Sequence, residues 1–225
     1  MKRLLSVLLL SLLLIPAAHA EATPSTPIDP PCRVGSIIDL SASKRWGRVN
    51  VMLQGSIFTL GTQLERAMTI GKVEADIIPQ YLRFQFLGYY FYHLSSGNQY
   101  YHKLRYHLGV GGNLYYHPTS LSWSVRYEST YTLTKSTPYN RLRPRIRCNF
   151  YINSSAWQPF AEVEFFWALN GKNQGRADRM WYNAGVSYAI NRSNKVEFKI
   201  REEQTWLTTP KQWNTFIGFA YKVTL

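Results

Sequence analysis

Past its first fifteen residues the chain has no long apolar run. Nothing later approaches the roughly 18 consecutive apolar residues that a transmembrane helix needs, which excludes a helical membrane protein. Cysteine is nearly absent. Only Cys32 and Cys148 occur, without neighbouring His or acidic ligands, so the sequence offers no metal site and no cofactor is expected. Acids are scarce as well, with 13 Asp and Glu against 26 Lys and Arg. The only aspartates are Asp29, Asp39, Asp76 and Asp178, and three of them fall in the N-terminal part. A surface protease built on paired acids at one rim therefore lacks its acids.

What is present begins with an export signal. Lys2 and Arg3 precede an apolar stretch from Leu4 to Ile15, followed by Ala18-His19-Ala20, a small-x-small cleavage site. The stretch is too short for a comfortable membrane span, and no Cys directly follows the site, which argues against a lipoprotein. Residues 1–20 are thus expected to be a cleaved signal peptide. The formal charge of +13 loses Lys2 and Arg3 with it, leaving +11 (13 − 2). A basic balance serves nucleic acid, anionic lipid or an acidic partner, and export argues against nucleic acid.

Residues 21–45 hold Pro24, Pro27, Pro30 and Pro31 among Ser and Thr, and read as a Pro/Ser-rich N-terminal segment. Val34 to Ser41 within it has the makings of a short strand. From 46 to 225 turn signals recur at short intervals between alternating segments, which argues for an all-β domain. Between 121 and 133, Leu121, Trp123, Val125, Tyr127 and Tyr131 alternate with Ser122, Ser124, Arg126, Glu128 and Thr130. Successive side chains of a strand point to opposite faces, so one face is apolar and the other polar. The segment 141–152 repeats this more harshly, with Leu142, Ile146, Cys148 and Phe150 opposite Arg141, Arg143, Arg145 and Arg147.

Segments near 100–110, 157–167, 180–190, 196–201 and 213–225 alternate likewise, and 48–60, 64–73 and 80–94 do so less clearly. A composition of 15% aromatic residues, with 16 Tyr and 7 Trp at a mean hydropathy of only −0.25, suits a barrel whose aromatic rings line both membrane interfaces. The expectation is an antiparallel transmembrane β-barrel of about ten strands, or twelve if parity demands it. Short turns at 153–156 and 191–194 would be periplasmic, and the longer loop at 170–178 extracellular. Four arginines on one strand face cost roughly 2–4 kcal/mol each near the bilayer midplane, so they are expected to face inward. Cys148 then faces lipid, which leaves no clear disulfide partner for Cys32.

From Asn140 onward the chain resembles the domain-of-unknown-function 2490 family of small Gram-negative outer-membrane barrels. The likeness rests on Arg141-Leu142-Arg143-Pro144-Arg145-Ile146-Arg147, on Pro159-Phe160-Ala161-Glu162-Val163-Glu164-Phe165-Phe166, and on Ser124-Val125-Arg126-Tyr127-Glu128. It covers the last half to two-thirds of the chain and fades before Tyr100. The resemblance implies an outer-membrane location in a Gram-negative bacterium and no agreed activity. Two departures stand out: Pro144, which predicts a bulge where a ladder N–H is missing, and the non-aromatic final residue Leu225.

The candidate site is the inward charge network of Arg105, Arg126, Glu128, Arg141, Arg143, Arg145, Arg147, Glu162 and Glu164. With the hairpin centred on Ser154 and Ser155, Arg147 faces Glu162 and Arg145 faces Glu164, with Glu128 within reach. The bland reading is a lumen closed by mutually satisfied Arg and Glu, in a structural or accessory barrel. The sharper one is a narrow anion-preferring channel, because the predicted inner faces are net basic. A third is a lipid-modifying enzyme. It needs a Ser–His pair on the outer face or rim, whereas Ser120, Ser122 and Ser124 point inward and His102 outward, and His117 lies in a turn. His93 and His107 read as interior hydrogen-bonders. No catalytic residue is assigned. Expected partners are outer-membrane lipids, lipopolysaccharide and, during biogenesis, the barrel-assembly machinery.

Overall fold

The computed structural model describes residues 32–94, 100–133, 137–171, 173–206 and 212–225; the expected signal peptide lies outside them. Eleven strands follow one another: β1 (Cys32–Trp46), β2 (Val49–Leu60), β3 (Gln63–Ile78), β4 (Leu82–Leu94), β5 (Tyr100–Tyr116), β6 (Thr119–Thr132), β7 (Tyr139–Phe150), β8 (Trp157–Ala168), β9 (Ala177–Ala189), β10 (Asn194–Thr205) and β11 (Gln212–Thr224). They form one closed barrel in chain order, and no helix occurs among the described residues.

The strand number corrects the expectation of ten or twelve. All ten expected strands are present as β2 to β11. The eleventh is β1, a 15-residue strand where the sequence pointed at most to a short one, so the barrel begins at Cys32 and not at residue 46. In an up-and-down barrel direction alternates, so an odd count makes the first and last strands point the same way. β1 accordingly pairs in parallel with β11, from Cys32 opposite Trp213 to Ser43 opposite Thr224, and every other seam is antiparallel. The fold is therefore not wholly antiparallel, and the start of β1 and the end of β11 lie at opposite ends of the barrel.

The closing seam carries its own apolar knot of Ile37, Phe58 and Phe216, with Leu60 and Met68 against it. Phe58 and Phe216 meet edge to face at 5.9 Å between centroids. Gly35 admits Phe216 to the seam. A Cβ there would lie 2.9 Å from the ring and 2.1 Å from the Thr59 carbonyl oxygen.

Period-two alternation sorts the faces as the sequence implied. Ser124, Arg126, Glu128, Arg141, Arg143, Glu162 and Glu164 are buried, whereas Val125, Leu142, Ile146 and Phe165 are exposed on the outside. Pro144 produces no register shift. The β7–β8 pairing lapses at Arg143 and Pro144 and resumes at Arg145 in the same frame, so the missing N–H interrupts the ladder without inserting a residue. Bulges occur instead at Phe58/Thr59, Asp76/Ile78 and Phe166/Trp167. Cys148 is free. Five ladder steps of about 4.8 Å separate its strand from that of Cys32, too far for a disulfide.

Candidate functional site

Four adjacent strands bring most of the predicted charges to one depth. β5 supplies Arg105 and His107, β6 Arg126 and Glu128, β7 the alternate arginines, and β8 Glu162 and Glu164. The register sets Gly109 opposite Arg126. A Cβ at Gly109 would come within 2.7 Å of the Arg126 Cγ, so the glycine leaves room for that side chain to lie across the interior.

Glu128 is the hub, with no exposed surface. It accepts from Arg141 Nε at 2.8 Å and from Arg143 Nη1 at 2.5 Å. His107 Nε2 lies 3.0 Å away and Arg105 Nε 3.4 Å. Glu164 forms the second node. Arg143 reaches it through Nε at 3.0 Å and Nη2 at 2.9 Å, and Arg126 through Nη2. Arg143 therefore bridges both carboxylates. Arg126 and Arg143 stand directly opposite each other in the ladder, a like-charge pair that would repel without the shared acid.

A looser group lies toward the short-turn end. Glu162 has Arg145 at 3.6 Å and Arg147 at 3.8 Å, and accepts from Asn183 at 3.0 Å. Arg147 makes its closer pair with Glu197, at 3.0 Å. The structure thus brings Arg105, Arg126, Glu128, Arg141, Arg143 and Glu164 into one cluster. It sets Arg145, Arg147 and Glu162 beside that cluster with weaker mutual contacts. The ladder places Arg145 opposite Glu164 and Arg147 opposite Glu162, as the hairpin arithmetic implied, but no ion pair joins Arg145 to Glu164. Its guanidinium turns to Glu162.

Aromatic rings pack among the guanidinium groups. Arg143 lies 4.2 Å from the Phe166 centroid, Arg147 3.7 Å from Phe160, Arg66 4.0 Å from Phe58 and Arg201 4.4 Å from Trp181. Stacking of this kind lets a weakly hydrated guanidinium shed water where a carboxylate is not available.

Sequence reasoning counted Glu203 and Lys199 on the inner faces but did not find their partners. Arg66 pairs with Glu203 at 3.0 Å and Asp39 with Lys199 at 2.7 Å, and the pair of Lys72 with Glu74 at 2.9 Å was missed altogether. Asp178 accepts from the Tyr139 hydroxyl at 2.6 Å. The available signal was inward parity within β3 and β1, whose patterns are blurred. Ser120 and Ser124 are buried on the inner face, whereas His102 bonds Tyr90 on the outer one at 2.7 Å.

Three interior cavities follow one another along the axis. The largest, about 620 Å³, lies at the long-loop end; a central one measures about 250 Å³, and one toward the turns about 140 Å³. Arg66, Arg105, Arg141 and Arg179 border both the first and the second, and Asp39, Arg145, Glu162 and Arg201 both the second and the third.

A family model described as "Protein of unknown function (DUF2490)" matches residues 38–214. The match begins in β1, well before the point at which the motif resemblance fades. No curated protein matches the chain. The chain belongs to this family of unknown function.

Proposed function

We propose that the chain is an integral outer-membrane β-barrel of a Gram-negative bacterium, exported behind its N-terminal leader, with a structural or accessory role and no catalytic one. Its interior is closed at mid-height by the Arg–Glu lattice. The outer face supports membrane insertion. Val73, Phe84, Leu108, Ile146, Ile200 and Ile217 are exposed there in a band that would aggregate in water. Aromatic residues flank the band at both ends of β8, Trp157 against Tyr188 near the turns and Trp167 near the loops. Ten residues of strand at about 3.3 Å each, tilted about 40°, give roughly the 25 Å apolar height of an outer-membrane barrel.

The observation that carries closure is Arg143, which bonds Glu128 and Glu164 together across the interior surface. A water-filled pore would leave such groups solvated and paired only loosely. Outer-membrane lipids and lipopolysaccharide are the partners of the outer face, and the barrel-assembly machinery the partner of insertion. Fractionation tests the location. The mature protein should sediment with outer membranes and shift its gel mobility on heating in detergent; recovery as a soluble periplasmic protein would overturn the reading.

The three cavities with common walls favour a second reading, a narrow conduit for small anions. Conductance separates the two.

A further inference from the structure

The cavity at the long-loop end holds positive charge that the lattice does not neutralise. Its volume of about 620 Å³ lies within the usual range of small-molecule sites. Arg66, Lys103, Arg105, Arg141 and Arg179 line it, with Asp178 the one acid among the described residues of its wall. Among the described residues Lys103 makes no ion pair, and its ammonium lies 4.7 Å from the centroid of Tyr101. Arg105 is 3.4 Å from Glu128, a carboxylate already held more closely by Arg141 and Arg143. Arg179 is 3.7 Å from Glu203, which Arg66 holds at 3.0 Å. Asp178 Oδ2 accepts from the Tyr139 hydroxyl and lies 3.5 Å from Arg141 Nη1.

The strand-connecting loops at this end add no acid of their own. Residues 61–62, 95–99, 133–138, 169–176 and 206–211 include Lys135, Lys172, Arg176 and Lys211 but no Asp or Glu. The opposite end differs. There Lys199 meets Asp39 at 2.7 Å, and Lys222 and Arg147 share Glu197 at 2.7 and 3.0 Å.

We propose that this vestibule is a binding site for a phosphate-bearing ligand, with Lys103, Arg105 and Arg179 as its anchors. A phosphate brings more than one negative charge to a cluster short of more than one. Its oxygens also match the forked donors of Arg105 and Arg179, while the Lys103 ammonium serves as a compact point charge. The Thr132 and Thr137 side chains on the same wall add hydroxyls. All the anchors line the interior at the loop end, the side from which a free solute or a lipid phosphate would approach. The site stands whether or not the barrel conducts.

The full barrel, folded from denaturant into non-ionic detergent, tests this by calorimetric titration with pyrophosphate and with inorganic phosphate, chloride serving as the control. Saturable one-to-one uptake of pyrophosphate, tighter than that of phosphate, is expected. Lys103→Gln should weaken it at least tenfold, whereas Lys195→Gln at the opposite end should leave it unchanged, with heat modifiability confirming that both variants fold. Uptake of phosphatidic acid from mixed micelles without uptake of pyrophosphate, again weakened by Lys103→Gln, assigns the site to a lipid headgroup. Saturable uptake of neither probe, or uptake indifferent to Lys103→Gln, overturns the proposal.

Discussion

Arg145 stands directly opposite Glu164 in the β7–β8 ladder, yet the Glu164 carboxylate is held by Arg143 and Arg126. The ladder fixes which Cα atoms face each other. It does not fix where a guanidinium at the end of a long side chain finds its acid. Arg143, two residues along the same face, approaches Glu164 diagonally with two nitrogens, and Arg126 comes from the far side of β7. Arg145 keeps only a 3.6 Å contact with Glu162, its side chain 31% exposed.

Stability should follow the contacts and not the ladder. Glu164→Gln leaves two buried guanidinium groups short of their acid and should cost about 3–5 kcal/mol, as for a broken buried pair. Arg145→Gln should cost about 0–1 kcal/mol, as for a solvated one. Denaturant titration of the folded barrel in detergent measures both. A larger loss for Arg145→Gln than for Glu164→Gln would reverse the assignment.

Glu128 should be the most sensitive acid of the interior, since it is fully buried and shared by Arg141, Arg143 and Arg105. Glu128→Gln should lower the temperature of the gel-mobility shift more than Glu162→Gln, whose arginine contacts are 3.6 and 3.8 Å. Equal shifts would mean that the two acids are equally solvated.

The parallel seam predicts a cross-link that an even-stranded barrel closed by β2 and β11 would not form. Ile38 lies opposite Phe219. In a background without Cys32 and Cys148, Ile38→Cys with Phe219→Cys should oxidise to a disulfide, because paired strands bring Cα atoms within the required 4.4–6.8 Å. Failure of that cross-link in a folded barrel would remove β1 from the seam.

Gly35 offers an independent check on the same seam. Gly35→Val drives atoms into the Thr59 carbonyl and the Phe216 ring and should destabilise by at least about 1–3 kcal/mol. Gly71→Ala, with nothing within 4 Å of the added Cβ, should be far milder. Comparable midpoints for the two variants in denaturant would contradict the packing.

The strands from β5 onward were legible because one face is apolar and the other polar or charged, as at Leu142, Ile146 and Phe150 against Arg141, Arg143 and Arg145. β1 was legible only as the short candidate Val34–Ser41. Its inner face mixes Gly35, Ile37, Asp39 and Ser41 and its outer face Ser36, Ile38 and Leu40, so neither periodicity nor polarity marks its full length. Parity then misled, because the even-strand rule presumes antiparallel closure. Within the site, local turn arithmetic gave the β7–β8 register. It gave nothing about partners brought together by closure, such as Arg66 with Glu203 or Lys199 with Asp39, 137 and 160 residues apart. Those contacts depend on the tilt and circumference of the whole barrel.

The central claim is that the Arg–Glu lattice closes the interior, and conductance across a planar bilayer tests it most directly. The purified barrel should insert without discrete conductance steps at neutral pH, whereas Glu128→Gln with Glu164→Gln, which unties Arg143 from both acids, should show brief anion-selective openings or fail to fold. Steady, anion-selective single-channel currents from the unaltered protein would contradict the closed lattice and make the barrel a conduit.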